Sequence, residues 1–347
     1  MIGERLQRAR ESASLSLRAL AEKVCVSQTT ISKYEKNITM PDSEMLLKLS
    51  KALDVKTAYF YRTDSFVLEN IEYRKRDIPS TELRTIESKI LDQVEKRFEI
   101  ESLFPKPPFE SFTIPNIVRK KINFLKEIDK IAYELRNTWE LGYDPISDLS
   151  DILELHGIKI FMIDENADNN FDGLAAKVNG EQIIVVSKNW PGDRQRFTLA
   201  HELGHLLLEK KLGPKLDEEK ASDRFAGAFL LPAIPLINRL GTFRKNIEIA
   251  ELALIKEEFG VSMQTVFIRA NHAGIINYFC SNNLWKLFKK NGWNINEPGR
   301  DYPGEKLYVF KQLVLRALSE DLIVESKAAD ALNMSLAKFK KFRNSGK

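Results

Sequence analysis

The chain has 347 residues, 43% hydrophobic and 29% charged, which suits two or three soluble globular domains, each with its own core. No stretch approaches the ~18–20 uninterrupted apolar residues of a membrane span, "MIGERLQRAR" lacks an apolar signal core, and Cys25 and Cys280 fall in what read as different domains, so the expected setting is a reducing cytoplasm with neither membrane partner nor disulfide framework. The net charge of +4 is uneven, because residues 1–62 hold 11 Lys/Arg against 7 Asp/Glu while the remainder balances at 42 of each; a basic first sixth on a neutral body fits a nucleic-acid reader, although charge alone does not separate that from scatter.

Residues 6–55 read as four short helices. Apolar residues recur at helical spacing at Leu6 and Ala9, at Leu17, Leu20, Ala21 and Val24, at Ile31 and Tyr34, and at Met45, Leu46, Leu49 and Leu53. Ser16 and Ser27 stand at N-cap positions, and Pro41-Asp42-Ser43 opens the fourth helix. Only Cys25 and Val26 separate Val24 from Ser27, a turn short enough for a helix-turn-helix. The stretch resembles the Xre/phage-repressor helix-turn-helix family over roughly residues 2–62. That resemblance implies that Leu17–Val24 braces the DNA backbone and that Ser27–Asn37 enters the major groove of a double-stranded operator. Ser27, Gln28, Thr29, Ser32 and Lys33 are then the DNA-facing set: Gln28 can pair bidentately with adenine, and Thr29 can hydrogen-bond or touch a thymine methyl. Arg10 and Glu35 match an internal salt bridge of the family and are assigned to structure. Leu17 departs from a common glutamine and Cys25 from a common turn glycine. Cys25 reads as a small turn-filling residue, with redox control as the alternative.

Residues 67–116 read as a connector between a DNA-binding domain (1–66) and a catalytic domain (117–240). "FVLENIEYRKR" alternates like a strand or extended arm, and Leu83, Ile86, Ile90, Val94 and Phe98 form one helical stripe, stopped by "PKPP" at 105–108. This helix either packs on its own chain or pairs with a second copy. Operators are usually bound by two-fold dimers, which makes a homodimer the expected assembly.

In "FTLAHELGHLLLE" (197–209), His201 and His205 are four apart, about 400° around a helix, so both imidazoles reach one side and one metal ion. Glu202 is offset toward the open side, where it can take a proton from water, and Gly204 leaves room for close approach. Asp193 is a candidate cap for this helix. Downstream, "EEKASDRFAGAFLLP" places Glu219 and Asp223 four apart on a second helix, the arrangement of glutamate-type zincins. Glu219 would be the third zinc ligand, and Asp223 would hold the far nitrogen of a ligating histidine. Three ligands leave a fourth position for water, the pattern of a catalytic Zn2+, and the lack of a cysteine cluster excludes a structural knuckle. Glu218 and Glu209 are rival ligands. His156 and His272 read as structural histidines, and no oxyanion partner is evident.

Residues 117–240 resemble the ImmA/IrrE metallo-endopeptidase family through "GYDP", "HGIKIFMID", "FDGLAAKVNGEQIIVVS", "RQRFTLAHELGHLLLE" and "DRFAGAFLLP". The resemblance implies zinc-dependent protein cleavage coupled to transcriptional control. The residues also show β runs in "GIKIFMI", "LAAKV" and "QIIVV", the last two joined by Asn179-Gly180, a hairpin signal. A substrate peptide is expected to add to this sheet as an edge strand. Residues 241–347 read as helical, with two helices around Gly260, a longer one over 305–324, a faint second helix-turn-helix, and a basic tail "AKFKKFRNSGK". The expected fold is α+β and mostly helical: a helix-turn-helix bundle, a zincin-like domain with a small sheet, and a helical C-terminal region. The leading function is a repressor-type regulator with an appended zinc endopeptidase that cuts itself or a partner regulator. The alternatives are a non-proteolytic regulator or antitoxin whose zinc domain binds a partner such as a toxin, and a peptidase that its first domain merely positions.

Overall fold

The computed structural model describes residues 1–62, 66–73, 78–106, 109–164 and 171–345. Four helices open the chain: α1 (Ile2–Ser12), α2 (Leu17–Lys23), α3 (Gln28–Glu35) and α4 (Ser43–Ala52), with a 3-10 turn over Thr57–Tyr61. Their starts are set by side chains, since Ser16, Ser27 and Asp42 accept the backbone N–H of Ala19, Thr30 and Met45. Leu6, Leu20, Ile31, Leu49 and Phe60 close a core of their own. Arg10 holds Glu35 by two bonds of 2.6 and 3.0 Å, as expected. Cys25 has φ +57°, a left-handed turn position that favours glycine, with its thiol exposed.

The connector is part of the body. β1 (Glu69–Tyr73) pairs antiparallel with a sheet strand described below, and α5 (Ser80–Glu101) lies across that sheet. The helix ends at Glu101, ahead of Pro105, so the prolines are not its stop; Pro107 and Pro108, like 74–76 of the expected arm, lie outside the described residues. After α6 (Glu127–Thr138) and α7 (Leu149–Leu155) come β2 (Lys159–Ile163), β3 (Gly173–Val178) and β4 (Glu181–Ser187). The sheet order is β1-β3-β4-β2, with β3 antiparallel to β4 and β2 parallel to it. Asn179 and Gly180 have φ of +52° and +82°, the paired positive values that a two-residue hairpin turn requires.

Strand alternation then assigns the two faces of the sheet. Leu174, Ala176, Ile183 and Val185 meet Ile86, Ile90 and Val94 of α5, while Ala175, Ile184 and Val186 face the main core. The α5 stripe is therefore spent within the chain and is not free to pair with a second copy. On another side α5 holds the N-terminal bundle: the Glu95 carboxylate takes Arg5 at 2.6 Å and Arg8 at 2.5 Å, and Asp92 takes Arg8 at 3.0 Å.

The remaining helices are α8 (Gly192–Leu208), α9 (Glu218–Leu230), α10 (Ala233–Leu240), α11 (Ile249–Phe259), α12 (Met263–His272), α13 (Tyr278–Lys290), α14 (Val309–Ser319), α15 (Glu325–Ala331) and α16 (Leu336–Ser345). One core runs from Val118 to Phe288 and crosses the boundary expected at 240, because α11–α13 pack on the same apolar surface as α8 and α9. Gly260, at φ +64°, caps α11 as the sequence implied. The helix expected over 305–324 starts only at Val309 and ends at Ser319. Glu305 is instead drawn down to Arg196 at 2.7 Å and to the Ser150 N–H and hydroxyl at 2.7 Å each, which holds the preceding segment extended. The two helices of the faint C-terminal echo, α15 and α16, pack with α14 on the end of α5 around Ile100 and Phe339. Among the described residues no helix is long and apolar enough to cross a membrane.

Candidate metal centre

The start of α8 is fixed by its surroundings rather than by a cap. Gly192 donates to Tyr302 O at 3.0 Å, and a Cβ there would lie 1.9 Å from Pro303 O, so only glycine admits the crossing segment. Asp193 is not the cap expected of it: it lies within the first turn and pairs with Lys256 at 3.1 Å, after Pro191 at the cap position. The Lys256 ammonium, which also meets Glu297 at 3.0 Å, offsets the cost of taking this carboxylate out of water.

From there α8 turns Leu199 and Leu203 toward the sheet core and His201 and His205 toward α9. Gly204 is the contact point of the two helices, since a Cβ would meet Phe225 at 3.1 Å and the Ser222 Cα at 3.2 Å. Its small size serves the approach of α9, which carries the remaining site residues. The Nε2 atoms of His201 and His205 lie 2.9 Å apart. Glu219 reaches the first at 3.4 Å and the second at 3.6 Å, and one ligand atom from each of the three residues lies within 4.8 Å of the others. Asp223 meets His201 Nδ1 at 2.8 Å. The sequence-predicted set of His201, His205, Glu219 and Asp223 is thus brought together, with Glu202 buried at 1% exposure on the same helix.

Glu218 stands 3.5 Å from His205 Nδ1, the nitrogen turned away from the cluster. The sequence offered Glu218 only as a rival ligand. It stands behind the second histidine as Asp223 stands behind the first, but farther off than the 2.8 Å of the Asp223 hydrogen bond, and both acids lie on α9 with Glu219. Glu209, the other rival, caps the end of α8 and pairs with Lys210.

The donor set fits a divalent cation. With the His201 Nδ1 proton assigned to Asp223, Nε2 presents its lone pair toward a second imidazole nitrogen and a carboxylate, and a cation is what such converging acceptors accommodate. Two histidines and one carboxylate are the ligand types zinc takes in three-ligand sites.

Two stretches of the chain match known families: residues 6–60 match the helix-turn-helix model, and residues 153–271 match the IrrE N-terminal-like domain. The chain carries a helix-turn-helix domain followed by an IrrE N-terminal-like domain. The match to the second domain continues through α10, α11 and α12, beyond the boundary at 240. Among curated proteins, the HTH-type transcriptional regulator ImmR of Bacillus subtilis (strain 168) is 35% identical over 69 residues, 20% of this chain and 54% of that protein. Repressor protein C2 of Salmonella phage P22 is 35% identical over 79 residues, 23% of this chain and 36% of that protein. The chain thus spans about half the length of one relative and about a third of the other.

In the helix-turn-helix domain, Gln28, Thr29 and Lys33 are exposed on α3 and Ser32 is half-buried. The Ser27 hydroxyl is engaged with the Thr30 N–H at 3.1 Å and the Thr30 hydroxyl at 2.8 Å. Elsewhere in the IrrE N-terminal-like domain, His156 stacks on Trp139 with centroids 4.1 Å apart, a structural role, and burial lowers its pKa. A cavity of about 730 Å³ lies beneath the extended segment at Tyr302–Glu305 and is lined by none of the metal-site residues. There burial first, and then the neighbouring Glu305, push the Asp148 carboxyl up to about 7. The sheet to which a substrate strand was expected to add ends in β1 on one side and β2 on the other.

Proposed function

We propose that this chain is a DNA-binding transcriptional regulator, acting as a repressor, with a zinc-dependent endopeptidase in the same polypeptide that cuts the chain itself or a partner regulator. The observation that carries the peptidase half is the convergence of His201, His205 and Glu219 within 4.8 Å, with Glu202 buried on the same helix. When bound, zinc supplies Lewis acidity and acidifies water. Glu202 takes a proton from water as it attacks the scissile carbonyl and hands it to the departing amine. Asp223 fixes the His201 tautomer, and Glu218 plays the corresponding part at His205. The regulatory half is supported by the exposed face of α3 and by the relatives' names, which say transcriptional regulator and repressor. A duplex operator read by α3 calls for a two-fold dimer, on a surface other than the buried α5 stripe, and a cytoplasmic setting.

The relatives' names, transcriptional regulator and repressor, also suit a second reading, a non-proteolytic module that holds a partner protein or toxin. Full-length wild type and Glu202→Gln decide between them. Elemental analysis should find one zinc in each, and incubation with the host proteome should yield new fragments with wild type alone. Equal regulation by both forms, with no fragments from either, would establish the second reading and overturn the first.

A further inference from the structure

Next to the metal centre, α9 and α12 face each other through matching helical stripes. Lys220, Asp223 and Arg224 stand on one, and Ile268, Arg269 and His272 on the other, around a cavity of about 290 Å³ walled by Phe197, one turn before His201 on α8. Spacings of three and four residues place each stripe on one helix face. Gly227 makes the space, since a Cβ there would lie 3.0 Å from Arg269 Cδ.

The charge of this cavity is unbalanced. Its lining brings three cations, Lys220, Arg224 and Arg269, while Asp223 is committed to His201. Arg224 and Arg269 share one carboxylate, Asp129, at 2.7 and 2.9 Å. The His272 Nδ1 atom is buried with no hydrogen-bond partner among the described residues. Burial first, and then Arg224 and Arg269, push the His272 pKa down to about 4, so the ring stays neutral in a cationic surrounding. Set against Asp129 and Asp223, the three cations leave one positive charge over, and Phe197 and Ile268 offer apolar surface for the methylenes that would carry a matching anion.

We infer that this cavity is a side-chain pocket for an acidic residue, aspartate or glutamate, flanking the bond that the metal centre cuts. The inference rests on the peptidase reading above and adds its substrate class. A carboxylate entering between Arg224, Arg269 and His272 gains charge-assisted hydrogen bonds that an amide or an alkyl group does not.

The test uses the zinc-loaded full chain and the hydroxamates of N-acetylglutamate, N-acetylglutamine and N-acetylleucine, with affinities read by calorimetry. The glutamate compound should bind about tenfold tighter than the glutamine compound, the worth of one charge-assisted bond. That preference should vanish in Arg224→Gln and shrink in Lys220→Gln, whose exposed position leaves folding untouched. Equal affinities for the three compounds overturn the pocket and leave the metal centre standing, whereas no binding by any of them overturns both. In the metal-free chain, the hydroxamate of N-acetylglutamate, and not that of N-acetylglutamine, should raise the His272 titration followed by NMR; an unmoved ring overturns the pocket independently of metal.

Discussion

The reading face of α3 and the metal centre of α8 and α9 are built in opposite ways. Gln28, Thr29 and Lys33 are exposed within six residues of one helix, whose start is capped by its own neighbour Ser27. His201 and Glu202 are 1% exposed and depend on a second helix, α9, brought against Gly204. One surface is local and tolerant of change, because water already solvates each side chain. The other is long-range and strained by any added volume, because packed interiors have no slack. The two therefore fail differently under substitution.

The largest effect is expected at the contact between α8 and α9. Gly204→Val places atoms where even a Cβ has Phe225 at 3.1 Å and Ser222 Cα at 3.2 Å. Overpacking of this kind costs about 1–3 kcal/mol, and moving α9 carries Glu219 and Asp223 away from the histidines. Zinc affinity measured by chelator competition should fall at least about tenfold, the thermal midpoint should drop, and DNA binding should stay as in wild type. A parallel loss of DNA affinity would break the comparison and point to coupling through Arg5, Arg8 and Glu95.

A smaller and opposite effect is expected on α3. With duplexes selected in vitro by the wild-type chain, Gln28→Ala combined with Lys33→Ala should cost about 1–3 kcal/mol at the base that Gln28 reads. The same change should reduce the salt slope by about one unit for the lost phosphate contact. Zinc content and thermal midpoint should not move. Unchanged DNA affinity and salt slope would remove α3 from the interface and leave the metal centre as the chain's main site.

Legibility follows the same division. The caps Ser16, Ser27 and Asp42, the Asn179-Gly180 turn and the histidine pair are signals three or four residues wide, and the fold honours each of them. Glu219 and Asp223 were legible as a pair because one helix sets their spacing. Asp193 misled, since an acidic residue near a helix start looks the same whether it caps the helix or meets Lys256, 63 positions further on in the sequence. The pairing of β1 with β3, the hold of Glu305 on Arg196, and the Arg224–Asp129–Arg269 cluster join residues far apart in the chain. Periodicity carries no information about such partners, so the sheet edge, the extended segment and the cationic cavity emerged only from the folded chain.

Ser27 gives the smallest and sharpest test, because both descriptions of the N-terminal domain claim it. The family resemblance places it among the DNA-facing residues, while its hydroxyl is bonded to the Thr30 N–H at 3.1 Å. As a cap, Ser27→Ala should destabilise the domain by about 1 kcal/mol, read by denaturant unfolding, with affinity for the selected duplex unchanged where the chain is fully folded. Ser27→Asp restores a capping oxygen and adds a negative charge. Its stability should return to that of wild type, because aspartate caps as well as serine and suits a helix N-terminus. Its DNA affinity then reports on distance alone: a phosphate close to residue 27 repels the new carboxylate and weakens binding, and unchanged binding assigns the residue wholly to the helix it begins.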